Sequence, residues 1–135
     1  MRFLIHGAVH PEALDALARH EHASHALLEL AGDTPAQEGA TEAPVTDDPA
    51  FLLPLLEKKQ WNLLTTDTAF VRDLYEKKVE FTGVVVQILD DPDVLHDQGP
   101  AIDRLFERYK RLTPRRLYTV TASRVKIRQL PGGHV

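Results

Sequence analysis

The chain has 135 residues, 43% of them hydrophobic and 27% charged, and it has no cysteine. Those values fit one globular domain and exclude a fibrous or wholly disordered chain, disulfides, a thiolate nucleophile and any cysteine-held zinc. The net charge of −4 conceals a polarity: residues 1–103 carry 7 Lys and Arg against 19 Asp and Glu, whereas residues 104–135 carry 9 basic residues against Glu107 alone. No apolar run approaches the length of about eighteen residues that a membrane helix needs, so no membrane association is expected. The opening MRFLIHGAVH has too short an apolar stretch for a signal peptide, and the expected location is cytoplasmic.

In chain order, residues 2–5 (RFLI) predict a short buried strand. Pro11 suits the first position of a helix that places Leu14, Leu17 and Ala18 on one face. Residues 25–30 predict a weaker second strand, and residues 31–47, rich in Ala, Gly, Pro, Thr and acid, predict a long mobile loop. A helix follows with Asp48 as its cap, Pro49 in the first turn and Phe51, Leu52, Leu55 and Leu56 as its apolar face. Pro54 interrupts that pattern: either the helix kinks there, or residues 49–51 form a separate turn and the regular helix begins near Leu53.

Residues 61–65 predict a third strand, and residues 68–78 a helix with Phe70, Leu74 and Tyr75 inward. The run 83–89 (GVVVQIL) is nearly all apolar, as parallel strands covered on both faces are. Residues 101–112 predict an amphipathic helix with Ile102, Leu105, Phe106, Tyr109 and Leu112 inward. Its outer face carries Arg104, Arg108 and Arg111, and Arg115 continues the line. Two strands over 117–121 and 124–130, turning at 122–123, close the chain as an antiparallel hairpin within 116–130. The fold expected is a single α/β domain over 1–135, with a mainly parallel central sheet flanked by helices.

In such a sheet, functional side chains gather beyond the carboxyl ends of the strands. Those ends are His6, then Thr65, Thr66 and Asp67, then Asp90 and Asp91, with Asp47 and Asp48 at the foot of the long loop. Converging carboxylates suit Mg²⁺ or Mn²⁺, which take oxygen ligands and keep positions open for phosphate oxygens. Each residue also has a structural reading. Asp48 and Asp67 are placed to cap helices, the acids around Pro92 suit a solvated turn, and His6 can bond neighbouring backbone. His20, His22 and His25 are spaced i, i+2, i+5, which does not match the i, i+4 pair of a His-Glu-x-x-His helix. A glycine-rich phosphate loop and a Gly-x-Ser-x-Gly elbow are both missing, which counts against nucleotide hydrolysis and serine hydrolase chemistry.

The order of these elements resembles the small stand-alone PIN-like proteins of bacteria, related in fold to VapC-type toxin ribonucleases. Members open with a strand ending in an Asp-Glu-Asn-Leu-like motif and place an acid at the start of a second helix. A strand then runs into Thr-x-Asp-x-Asp-Phe, followed by a Gly-Val-Val strand and a basic C-terminal hairpin. Here Thr65-Thr66-Asp67-Thr68-Ala69-Phe70 matches the central motif, Asp48 or Asp47 the helix-start acid, Gly83-Val84-Val85 the fourth strand, and residues 123–131 the tail. The resemblance covers roughly residues 1–130 and departs at two acids, where His6 and Ala69 stand instead.

The resemblance implies a PIN-like sandwich and a metal-dependent endoribonuclease acting on single-stranded RNA. Asp48 and Asp67 would be its catalytic acids, and His6, Asp48 and Asp67 would hold Mg²⁺ or Mn²⁺. Asp47, Asp90, Thr65 and Thr66 are additional candidates, while Arg104, Arg108, Arg111 and Arg115 would contact the phosphate backbone. With two expected acids replaced, the alternative is an inactive PIN-like module that binds RNA or a protein partner in a toxin–antitoxin-like role. A homodimer through the hairpin edge is a further expectation.

Overall fold

Strand periodicity sorts this chain's apolar residues into two layers, one on each side of a single sheet. The computed structural model describes residues 1–26, 49–89, 98–121 and 124–131. Its strands are β1 (Arg2–His6), β2 (Ala23–Ala26), β3 (Asn62–Thr65), β4 (Val85–Ile88), β5 (Arg116–Val120) and β6 (Val125–Gln129). Its helices are α1 (Pro11–Arg19), α2 (Pro49–Lys59), α3 (Thr68–Glu76) and α4 (Gln98–Arg108). The sheet runs β2-β1-β3-β4-β5-β6, parallel throughout except for the antiparallel β5–β6 hairpin. The fold is thus the α/β arrangement expected, a mainly parallel sheet flanked by helices and ending in a C-terminal hairpin. Among the described residues, no helix is long and apolar enough to cross a membrane.

On the first layer, Phe3, Leu64, Val86, Ile88, Tyr118 and Val120 pack under α1 and α4. Small residues (Ala13 and Ala16 on α1, Ala101 on α4) let these two helices approach closely. On the second layer, Leu4, Leu63, Val85 and Leu117 pack under Leu52, Leu53 and Leu56 of α2 and under Phe70, Val71 and Leu74 of α3. Each fully buried Leu or Phe contributes about 1.5–3 kcal/mol of transfer free energy, so both layers are needed to offset chain entropy.

Several boundaries differ from expectation. Ala18 is exposed, and Ala13 and Ala16 fill the inner face of α1 instead, because the 3.6-residue period set by Leu17 runs through them. The second strand begins at Ala23, earlier than expected, so the histidine run passes from a helix end into a strand. Residues 49–51 belong to α2. Pro54 lies on its exposed side, leaving the face of Leu52, Leu53 and Leu56 continuous. The third helix stops at Glu76, followed by Lys78 in the left-handed region at φ 52. The last helix starts at Gln98 and ends at Arg108, so Leu112 is buried and Arg111 exposed beyond it. The loop 31–47 and the turn 122–123 lie outside the described residues.

One connection has an unusual hand. The step from β1 to β2 goes toward one sheet edge with α1 on the first layer, and the step from β3 to β4 goes toward the other edge with α3 on the second. These two share a hand. The step from β4 to β5 continues in the direction of β3 to β4, yet α4 lies on the first layer beside α1. It therefore takes the opposite hand, where about 98% of such crossovers are right-handed. As a result α4 leaves β5 and β6 uncovered on the second layer, where α3 reaches the hairpin through Leu117 and Tyr75.

Candidate functional site

The second-layer face changes character toward the carboxyl ends of the parallel strands. One row of registered residues, Leu4, Leu63, Val85 and Leu117, is buried and apolar. The next row on the same face is His6, Thr65, Gln87, Thr119 and Lys126. His6, Thr65 and Gln87 are only 4%, 0% and 5% exposed. A buried polar group left without a partner costs about 1–3 kcal/mol, so the partners of this row decide what it does.

At the β1–β3 end the row is well partnered. Nδ1 of His6 lies 2.8 Å from Oγ1 of Thr65, and the same oxygen accepts the Asp67 N–H at 2.9 Å. Asp67 caps α3 by accepting the Phe70 N–H at 3.1 Å, and the Phe70 ring packs on the His6 ring at 4.6 Å. Thr66 joins the two strand ends: its N–H donates to the His6 carbonyl, and its Oγ1 accepts the Ala8 N–H at 2.7 Å. Gly7, at φ +85, makes that turn possible, since a Cβ there would sit 2.5 Å from Oγ1 of Thr66. Gln98, at the start of α4, completes the rim by accepting from His10 N–H at 2.7 Å and donating to the Ala8 carbonyl at 3.1 Å.

His6, Thr65, Thr66 and Asp67 are therefore brought together. Asp47, Asp48 and Asp90 lie outside the described residues. His6 has its Nδ1 engaged and Asp67 has its carboxylate engaged in capping, and the two together supply too little anionic oxygen to hold Mg²⁺ or Mn²⁺. Among the described residues, no three His, Asp or Glu are grouped to hold a metal. Ala69, in the position of the second motif acid, is exposed in the first turn of α3.

The arginine line goes elsewhere. Gln98 sits at the carboxyl rim, so α4 runs away from it, and Arg104 and Arg108 lie exposed in the opposite layer. Arg115 N–H donates to the Gly83 carbonyl at 2.7 Å, at the amino end of β4. These arginines do not converge with His6 and Asp67. The histidine run also disperses. His20 donates to Asp103 at 3.0 Å, His22 packs on Phe106 at 4.2 Å, and His25 stacks on Trp61 at 4.0 Å. Burial, reinforced by the N-terminal ammonium, holds the His22 imidazole down to about 4.

At its other end the polar row opens into a groove of about 640 Å³ between α3 and the hairpin. Gln87 and Thr119 belong to its floor row, and Arg72, Lys126 and Arg128 line it against one acid among the described residues, Glu76. The Arg128 guanidinium lies 3.9 Å over the Tyr75 ring, and the Tyr75 hydroxyl donates to the Gln129 carbonyl at 2.9 Å. Strand-end reasoning missed this groove. Its signal in the sequence is Gln87, the one polar side chain in the run 83–89. Comparison with models of known families, with curated proteins and with solved structures finds no match to this chain.

Proposed function

We propose that this chain is a PIN-like module that binds single-stranded RNA in the groove between α3 and the C-terminal hairpin, and that its role does not depend on cleavage. One observation carries the reading: Arg72 and Lys126 flank a polar floor at the carboxyl half of a parallel sheet, and neither forms an ion pair among the described residues. Unpaired cations over a concave floor suit phosphate oxygens, and apolar Val71 and Leu117 beside them suit the face of an unstacked base, which a single strand offers. His6 and Asp67, engaged with Thr65 and the α3 cap, are accounted for by structural roles.

The test is fluorescence anisotropy with a labelled single-stranded oligoribonucleotide across a salt series. Each lost phosphate contact lowers the salt slope by about 0.7 for a single strand, so Arg72→Ala with Lys126→Ala should flatten it by about 1.4. Replacing Arg104, Arg108 and Arg111 with alanine, in the opposite layer, should leave the slope unchanged. Absent or salt-independent binding would overturn the reading in favour of a protein partner.

A second reading, the metal-dependent endoribonuclease, draws on the nearness of His6 and Asp67 at the rim, where the Thr65 hydroxyl meets the His6 ring and the Asp67 backbone N–H. Incubation with RNA and Mn²⁺ or Mg²⁺ separates the two. Cleavage by the wild type that disappears in folded Asp67→Ala would establish the nuclease, and no cleavage by either would end it.

A further inference from the structure

We infer that Gln87 reads the base of a nucleotide seated in the α3–hairpin groove, selecting a base that presents a carbonyl edge. The inference rests on the RNA-binding reading and adds a specificity to it. Gln87 is 5% exposed, yet its side chain has one long hydrogen bond among the described residues, the Thr119 hydroxyl donating to Oε1 at 3.5 Å. Its Nε2 amide has no acceptor among those residues, although it lines the groove. Nε2 is not one of the fully buried unpartnered atoms, so it is open to the solvent of the groove, where a ligand acceptor can take the place of water.

The surroundings match one nucleotide. Val71 and Leu117 offer apolar contact for the faces of a base. Arg72 on α3 and Lys126 on β6 offer charge for its phosphate. With Oε1 turned to the Thr119 hydroxyl at 3.5 Å, the amide presents donors, which match the carbonyls of uracil or guanine, whereas adenine offers them a ring nitrogen but finds no acceptor for its amino group. A volume of about 640 Å³ is ample for one such unit.

The experiment compares oligo(U), oligo(A) and free uridine monophosphate as anisotropy probes and competitors, using wild type, Gln87→Leu and Lys126→Ala. Folding of each is checked by circular dichroism. The wild type should prefer oligo(U) over oligo(A) by about tenfold. Gln87→Leu, which keeps the volume and removes the donors, should bind both alike, and Lys126→Ala should weaken both by one factor and keep the preference. Oligonucleotide binding with no base preference, or a preference that Gln87→Leu retains, overturns the inference and leaves the RNA reading standing. Binding of uridine monophosphate alone, lost in Gln87→Leu, keeps the groove as a free-nucleotide site and removes the RNA reading. No binding of any probe overturns both.

Discussion

Asp67 carries a capping role whose size is measurable apart from any catalysis. Its carboxylate accepts the Phe70 N–H, so Asp67→Ala should cost about 1 kcal/mol in urea unfolding, while Asp67→Asn should retain most of the stability. At Gly7 the constraint is stronger. A Cβ at φ +85, pressed on Thr66, should make Gly7→Ala cost about 1–3 kcal/mol by the same measurement. His22 sets a pH dependence. Its folded imidazole titrates at about 4, against an ordinary 6.5, so the unfolded chain binds the extra proton between those values. Its contribution to stability should be complete above 6.5 and be lost as pH falls from 6.5 toward 4. His22→Phe should flatten that window in denaturant midpoints measured against pH. His6 and Asp67 were legible in the sequence because strand ends in a parallel sheet are where polar groups collect. Gln87 was not, because one amide inside an apolar run says nothing about which layer it faces until the strands are in register.

At the scale of elements, the central strands β1, β3 and β4 were the most readable parts, since each is a short, largely apolar run, whereas β2, with only Ala, Ser and His, was placed too late. Helix boundaries were less so. Leu112 looked like the last inward position of a helix, yet the chain leaves α4 after Arg108 and buries Leu112 from the connecting segment. Sequence period alone also could not show that α4 would pack on α1. What permits it is the pairing of alanines with bulky neighbours across that seam. Ala101→Leu should therefore overpack the α1–α4 contact and cost about 1–3 kcal/mol, read as a lower urea midpoint with unchanged secondary structure.

Across the whole molecule, the basic C-terminal quarter divides between two faces. Arg104 and Arg108 lie exposed in the α1–α4 layer, while Lys126 and Arg128 line the groove on the other. The charge arithmetic revealed the excess but not its division, because sign and count carry no direction. β6 is an edge strand whose Lys126 and Arg128 also discourage edge-to-edge pairing with a second copy.

The reversed hand of the β4–α4–β5 crossover has a consequence for how the chain folds. Because α4 docks on α1 and not on its neighbour α3, its anchoring contacts reach far back along the sequence. Arg19 pairs with Asp103 at a separation of 84 residues, and His10 pairs with Gln98 at 88. The first and last helices thus form one cooperative unit that closes the chain upon itself, and closing so long a loop is slow. In native-state hydrogen exchange the amides of α1 and α4 should open together, at the same denaturant dependence, and loosening either helix should release both.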